Sequence, residues 1–252
     1  MIKKYRRWTY LLPNTFTALN LACGLASILL TIRGEMYNAC LAVALGALFD
    51  SVDGRVARMV GSESAFGEQF DSMSDLITFG LAPALLVHHK YLYAYGRLGI
   101  ALTFLFLLCT ALRLARFNVN ISKVQSSYFQ GLPAPGAAMG LVGFVLFALE
   151  FDNPELMKYA IIPYAVLYST LMISNIPFPT LKGDDSFKEG RYQKYIFLLI
   201  IAILVSLFVY GEIVIGVVIT IYVFISLGYF LINRGKCRDI FNWGEEPSED
   251  KE

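Results

Sequence analysis

Charged side chains are scarce in this sequence of 252 residues. They make up 16% of the chain, whereas hydrophobic residues make up 56%. A soluble globular domain carries about 25% charged residues. The net charge is only +1, and no basic stripe lies outside the terminal segments, so the composition does not predict nucleic-acid binding. It indicates instead a protein whose surface faces lipid.

Cysteine and histidine are also rare, with four and two residues. Cys23, Cys40 and Cys109 lie inside apolar runs, and Cys237 lies in a basic segment. This distribution is not that of a disulfide framework, and it favours thiols that only pack.

Long apolar runs, by contrast, recur along the chain. A membrane-spanning helix needs roughly 20 mostly apolar residues, and eight segments approach that length. They are residues 15–32, 37–59, 70–88, 97–117, 133–151, 156–174, 195–210 and 212–232. We therefore predict an all-α fold, a polytopic transmembrane helical bundle of about eight spans. It divides into a main membrane domain (1–190), two additional helices (191–235) and a cytoplasmic tail (236–252).

Lysine and arginine are unevenly shared between the two sides of this bundle. With the first residues inside, one set of connecting segments holds most of the basic residues. The opposite side keeps only Arg33, Lys90, Arg97 and Lys158. Because cytoplasmic loops carry an excess of Lys and Arg, we predict a multi-pass protein of the cell membrane with both termini in the cytoplasm.

Four aspartates interrupt the apolar background. Asp50 and Asp53 are three residues apart, and Asp71 and Asp75 are four residues apart. Either spacing places both carboxylates of a pair on one face of a helix. The polar segment 60–66 between the pairs can reverse the chain, so that the two acidic faces meet at the cytoplasmic side.

Such an acidic cluster is costly next to a membrane. One aspartate at the centre of a spanning helix costs roughly 2.5–3.5 kcal/mol, and four cost on the order of 10 kcal/mol. A single aspartate near a helix end is usually an interfacial anchor, but four at this spacing predict a bound cation. All four ligands are oxygens, and neither His nor Cys lies among them. This chemistry predicts Mg²⁺ or Mn²⁺, and four carboxylates can support two ions.

The aspartates belong to a longer pattern with fixed spacing. Asp-x-x-Asp-Gly-x-x-Ala-Arg is followed, after eight residues, by Gly-x-x-x-Asp-x-x-x-Asp. This pattern resembles the signature of the CDP-alcohol phosphatidyltransferase family. The matching positions are Asp50, Asp53, Gly54, Ala57, Arg58, Gly67, Asp71 and Asp75. The resemblance implies that residues 1–190 form the membrane domain of that family and that the protein is a homodimer.

The resemblance also implies a role for individual residues. The four aspartates would hold the metal that grips the CDP pyrophosphate, and Asp75 would also act as general base on the incoming alcohol. The residues implied to bind the CDP-lipid are Pro13, Asn14, Thr15, Phe16, Gly54, Ala57, Arg58, Ser64 and Gly67. For the segment 13–16 an alternative stays open, because Pro-Asn is also typical of an ordinary helix N-terminus.

Three further segments bear on the acceptor alcohol. Residues 112–119, 130–136 and 176–182 are similar to segments of the phosphatidylserine synthases within the same family. That similarity implies L-serine as acceptor and CDP-diacylglycerol as donor. Arg113 and Arg116 could then receive the serine carboxylate or a lipid phosphate, and Asn118 the serine amine. Alternatively, the two arginines only enforce topology.

Two other functions stay open on the sequence. The same chemistry could use glycerol 3-phosphate or an inositol phosphate, which would require a denser basic pocket. The aspartates could instead line the path of a cation channel or transporter. Against this second alternative, they cluster at one end of their helices rather than along a pore.

Overall fold

The part of the chain that the structure describes is almost entirely helical. The computed structural model describes residues 5–61, 64–120, 128–150, 154–179, 219–225, 228 and 230. The predicted seventh span, most of the eighth and the predicted tail lie outside these residues. Within them the predicted all-α class is confirmed, except for one short two-stranded ribbon.

Seven α-helices follow one another between residues 5 and 173, and residues 219–225 are helical as well. The seven are α1 (Tyr5–Ile32), α2 (Met36–Val60), α3 (Ala65–Asp75), α4 (Ala82–Val87), α5 (Arg97–Asn120), α6 (Ala134–Glu150) and α7 (Pro154–Ile173). The ribbon pairs β1 (Tyr128–Gln130) with β2 (Pro177–Pro179) in antiparallel register, with Phe129 opposite Phe178.

One helical segment runs without a break from Ala65 to Tyr95. It contains α3 and α4, joined by a π-helical turn at Leu76–Leu81 and followed by a second one at His88–Leu92. A π turn closes its hydrogen bonds one residue later than an α turn, and such turns are frequent at functional sites. The first π turn begins directly after Asp75.

Four helical segments of the described chain are long and apolar enough to cross a membrane. They are Pro13–Ile32, Ala65–Tyr95, Arg97–Val119 and Glu155–Ile173. The second and fifth predicted spans are helices as expected, but α6 has only 17 residues, and α2 carries four charged side chains in its last eleven residues. The total of eight spans therefore stays a prediction.

The outer and inner faces of the helices differ in a way that suits a membrane. Large apolar side chains such as Leu25, Ile100 and Phe104 are more than half exposed. The interior is filled by others, among them Phe106 and Tyr168, that are almost fully buried. An apolar face on the outside is stable in lipid, where it replaces the polar surface that water requires. The described helices therefore fit a membrane-embedded protein.

The turn between α2 and α3 follows from two residues. Gly61 ends α2 with a φ of 63°, a left-handed conformation that glycine adopts without a steric penalty. Ser64 then caps α3, because its hydroxyl oxygen accepts a hydrogen bond from the Gly67 N–H at 3.1 Å. The chain reverses in the polar segment where the sequence predicts it.

Several functional segments lie at one end of the bundle. Hydrogen bonds join the first half of α1 to the end of α2, α3 to the end of α5, and α5 to the end of α7. We term this end of the bundle the polar end, and it contains all of the predicted site residues.

Candidate active site

The structure brings the acidic faces of α2 and α3 together. One carboxylate oxygen from each of Asp50, Asp53 and Asp71 lies within 4.8 Å of the other two. Asp75 lies one turn further along the helix, close enough to Asp50 and Asp71 to interact with them electrostatically. All four aspartates thus form a single cluster, with Asp53 and Asp75 its most buried members, at 5% and 8% exposure.

Two polar residues of α1 hold this cluster, and the sequence reasoning missed both. Thr17 Oγ1 donates to Asp53 Oδ2 at 2.9 Å, and Asn20 Nδ2 donates to Asp75 Oδ1 at 3.1 Å. Both side chains are buried. The available signal was their spacing of three residues inside an apolar run, which places two polar groups on one face of a spanning helix.

The helix that carries Asp71 and Asp75 returns hydrogen bonds to α1. Ser74 Oγ donates to the Thr17 carbonyl at 3.1 Å, and Thr78 Oγ1 donates to the Asn20 carbonyl at 3.0 Å. Glycine permits this close approach, because a Cβ on Gly24 would lie only 2.5 Å from Thr78 Oγ1. The positions of the aspartates are therefore set by a close junction of α1 with the segment that follows α3.

The cluster fits a divalent metal ion. Asp71 Oδ1 is buried and has no hydrogen-bond partner among the described residues. A buried carboxylate oxygen without a partner is unfavourable, and neighbouring carboxylates make it more so. A hard cation would satisfy it, since the donors are all oxygens, as Mg²⁺ and Mn²⁺ prefer. Asp50, Asp53 and Asp71 are the residues that could hold such an ion, with Asp75 beside them.

Three residues predicted to bind the CDP-lipid meet at the start of α3. A Cβ on Gly67 would lie 3.2 Å from Ser64 Oγ and 3.5 Å from Asn14 Oδ1. Asn14 therefore approaches α3 from α1, beside the acidic cluster. Ser64 also has the structural role of capping α3.

The other predicted CDP-lipid residues lie on α1 and α2. Arg58 lies beside Gly54, because a Cβ on Gly54 would be 3.7 Å from one terminal nitrogen of the guanidinium group. Ala57 is half-buried and Thr15 exposed, and the Phe16 ring lies 6.4 Å from that of Phe49.

One alternative for the segment 13–16 is wrong. Pro13 lies inside α1, which begins at Tyr5, so this segment is not a helix N-terminus. The apolar run marks where lipid contact begins, whereas the helix itself starts earlier.

The three residues predicted to bind the acceptor have different surroundings. Arg113 is 8% exposed and makes no hydrogen bond or ion pair with the described residues, but it lies close enough to Asp75 and Asp50 to interact with them electrostatically. Arg116 instead donates to backbone carbonyls at the end of α7. The Asn118 amide donates to Ser72 Oγ at 2.9 Å. Only Arg113 combines burial with unused donors.

Comparison with known proteins decides the family. A sequence model described as CDP-alcohol phosphatidyltransferase matches residues 10–174, a range that includes the acidic cluster and all three candidate acceptor residues. The chain belongs to the CDP-alcohol phosphatidyltransferase family. Membership in this family makes it an enzyme and disfavours the channel or transporter alternative.

Several curated members of the family are similar over most of the chain. The CDP-diacylglycerol–serine O-phosphatidyltransferase of Helicobacter pylori is 36% identical over 201 residues, which cover 79% of this chain and 82% of that protein. The enzyme with the same name from Bacillus subtilis is 35% identical over 185 residues, 72% of this chain and 98% of that one. The archaetidylserine synthase of Methanothermobacter thermautotrophicus is 40% identical over 174 residues, 68% and 71% of the two chains.

Proposed function

We propose that this enzyme transfers the phosphatidyl group from CDP-diacylglycerol to L-serine and releases CMP. The observation that carries the choice of acceptor is the buried side chain of Arg113. Its guanidinium group lies over the Phe117 ring at 5.7 Å and beside the aspartates, and it makes no hydrogen bond or ion pair with the described residues. The relatives support the choice, since their names specify serine or a serine-containing lipid product.

The donor side of the proposed site is formed by α1, α2 and α3. Asp50, Asp53, Asp71 and Asp75 would hold Mg²⁺ or Mn²⁺, as one ion or a pair. When bound, the metal would polarise the phosphoryl oxygens and stabilise the departing CMP. The residues proposed to contact the CDP-lipid are Pro13, Asn14, Thr15, Phe16, Gly54, Ala57, Arg58, Ser64 and Gly67.

Asp75 is the proposed general base. Asn20 fixes its Oδ1, which leaves Oδ2 to accept the proton of the serine hydroxyl. The hydroxyl oxygen forms a bond to the lipid-linked phosphorus, the bond from that phosphorus to the CMP oxygen breaks, and CMP leaves with the electron pair. No histidine or cysteine occurs in the cluster to form a covalent intermediate, so direct displacement is the simpler course.

The number of available cations favours a carboxylate over a phosphate on the acceptor. A phosphate group would need more than one positive partner, and Arg116 uses its donors on backbone carbonyls. Of the two arginines on α5, only Arg113 has free donors for the paired hydrogen bonds that a carboxylate accepts from a guanidinium group. Because Asn118 is bonded to Ser72, we assign the principal acceptor contact to Arg113.

The charge pattern supports a cytoplasmic position for the polar end. Arg55, Arg58, Arg113 and Arg116 all lie there, as the excess of basic residues on cytoplasmic segments predicts. We therefore propose that both termini and the active site face the cytoplasm, that residues 191–235 add two spans, and that the enzyme is a homodimer.

An acceptor panel tests the proposed reaction. Purified enzyme would receive radiolabelled CDP-diacylglycerol, controlled Mg²⁺ or Mn²⁺ and one acceptor at a time, with Asp75→Asn as the inactive control. We expect CMP release with L-serine and the label in a serine-containing lipid. CMP release with glycerol 3-phosphate or inositol phosphate, but not with serine, would refute the proposal that serine is the acceptor. CMP release without added divalent metal, in the presence of a chelator, would refute the proposal that the reaction requires a divalent metal ion.

A further inference from the structure

The guanidinium group of Arg116 is enclosed by oxygen atoms that come from distant parts of the chain. Its two terminal nitrogens donate to the carbonyls of Gln130 at 2.8 Å, Ile173 at 2.9 Å, Met172 at 3.2 Å and Ser174 at 3.4 Å, and to Asn175 Oδ1 at 3.4 Å. We term these five oxygens the carbonyl cage. Three of them are backbone carbonyls at the C-terminal end of α7, where the helix dipole is negative.

The cage is held together by bonds of its own. Gly131 N donates to the Ile176 carbonyl at 2.9 Å, and Leu132 N donates to the Leu171 carbonyl at 3.0 Å. The Gln130 side-chain amide donates to Asn175 Oδ1 at 2.9 Å. The segment before α6 is thereby joined to the end of α7, and Arg116 lies between the two.

Gly131 shows how closely the cage fits. Its φ is +77°, and an added Cβ would lie 2.5 Å from the Met172 carbonyl oxygen and 3.0 Å from Arg116 Nη2. Side chains rarely adopt that backbone conformation, and there is no space for one. An alanine at this position would have to displace the carbonyls that bind Arg116.

The cage separates the tasks of two arginines on one helix. Arg113 and Arg116 are three residues apart on α5, so they lie on the same side of it. The guanidinium groups are close enough to repel each other. Because Arg116 donates its hydrogen bonds to carbonyl oxygens, Arg113 is left as the α5 cation that faces Asp75 and Asp50.

We infer that Arg116 is a positioning residue for the acceptor: it fixes the turn of α5 from which Arg113 reaches the acceptor carboxylate. This inference rests on the proposed function. It also gives a physical reason why three separated segments resemble phosphatidylserine synthases. Arg116 of the first segment donates to the Gln130 carbonyl of the second, and Gly131 of the second donates to the Ile176 carbonyl that begins the third.

Acceptor discrimination tests the inference. Serinol is serine with the carboxylate replaced by a hydroxymethyl group, so the ratio of kcat/KM for serine to that for serinol measures recognition of the carboxylate. Arg116→Lys keeps the charge but loses the planar fork of donors, and we expect this ratio to fall by about 10-fold or more. The KM for CDP-diacylglycerol should stay unchanged. Arg55→Gln is the control, since Arg55 is exposed and makes no hydrogen bond or ion pair with the described residues.

A second variant guards against a simple folding defect. Gly131→Ala keeps the arginine itself but displaces the carbonyls that bind it. This variant should therefore show the same fall in the ratio of serine to serinol activity. Protection of each variant by CDP-diacylglycerol with Mg²⁺ against thermal unfolding would show that the donor side is intact. If Arg116→Lys and Gly131→Ala lose thermal stability but keep the wild-type ratio, Arg116 only packs the bundle and the inference is wrong. If the wild-type enzyme itself does not use serine, the proposed function fails instead.

Discussion

The acidic and basic halves of the site are built in different ways. The aspartates come from two consecutive helices joined by one short turn, and their spacing places each pair on one face of its helix. The carbonyl cage around Arg116 joins residues up to 59 positions apart, and its oxygens are mostly backbone atoms. A local sequence pattern therefore specifies the acidic half, whereas the basic half, for which we propose recognition of the acceptor, depends on contacts that form only when the bundle folds.

The largest effect is expected in the acidic half. Asp75→Asn keeps the size of the side chain but removes the proposed base, so kcat should fall by about 10³-fold. CMP release under saturating serine and metal measures it. Binding of CDP-diacylglycerol to the variant provides the control for folding. A variant that keeps more than about a tenth of the activity would show that Asp75 is not the base.

The next largest effect is expected in the basic half. Arg113→Gln removes the charge that the serine carboxylate would meet, and the KM for serine should rise about 10- to 100-fold. The KM for serinol should change little, because serinol has no carboxylate. Equal losses for both acceptors would contradict a contact between Arg113 and the carboxylate and would assign Arg113 to the donor side.

A smaller effect should come from the α1 contacts that support the aspartates. Thr17→Val keeps the shape but loses the hydrogen bond to Asp53, and loss of such an outer contact typically weakens metal affinity about 10-fold. Binding of Mn²⁺ followed by electron paramagnetic resonance measures this directly, without reference to turnover. Thr170→Val is the matched control, because Thr170 is exposed and bonds only to carbonyls of its own helix. Equal Mn²⁺ affinity in both variants would show that the hydrogen bond from Thr17 to Asp53 does not support metal binding.

The smallest effect concerns the packing beneath the basic half and should leave the chemistry unchanged. A Cβ on Gly140 would overlap the Tyr168 ring, whereas a Cβ on Gly136 of the same helix would have its nearest contact at 3.7 Å. Gly140→Ala should therefore lower the apparent Tm by about 5 °C, and Gly136→Ala should not lower it. Thermal unfolding in detergent compares the two. An unchanged Tm for Gly140→Ala would mean that α6 and α7 separate easily.

Much of the helical frame could be predicted from hydropathy. The predicted spans 97–117 and 133–151 correspond to α5 (Arg97–Asn120) and α6 (Ala134–Glu150), because charge, glycine or proline interrupts the apolar run at most of their ends. Hydropathy failed where a helix continues beyond the apolar segment, as α1 does before Pro13. It reports where apolar contact begins and carries no information on where backbone hydrogen bonding starts.

The site, too, contains residues that the sequence predicts and residues that only the fold reveals. The aspartates could be found because each pair repeats at a helical spacing. Thr17 and Asn20 could not be assigned, since their partners lie 36 and 55 residues away. Arg113 and Arg116 are indistinguishable as letters in a sequence, and only the fold shows that one is enclosed by carbonyls and the other is not.

The π turn at Leu76–Leu81 makes the length of that segment as important as its composition. Each residue of an α-helix turns the chain by about 100°, and the π turn contains one residue more than an α turn would. Deleting a single residue there would restore an ordinary helix. If the part that begins at Ala82 kept its place, Asp71 and Asp75 would then rotate away from α1. The number of residues in this segment is therefore constrained as well as the identity of those that are buried.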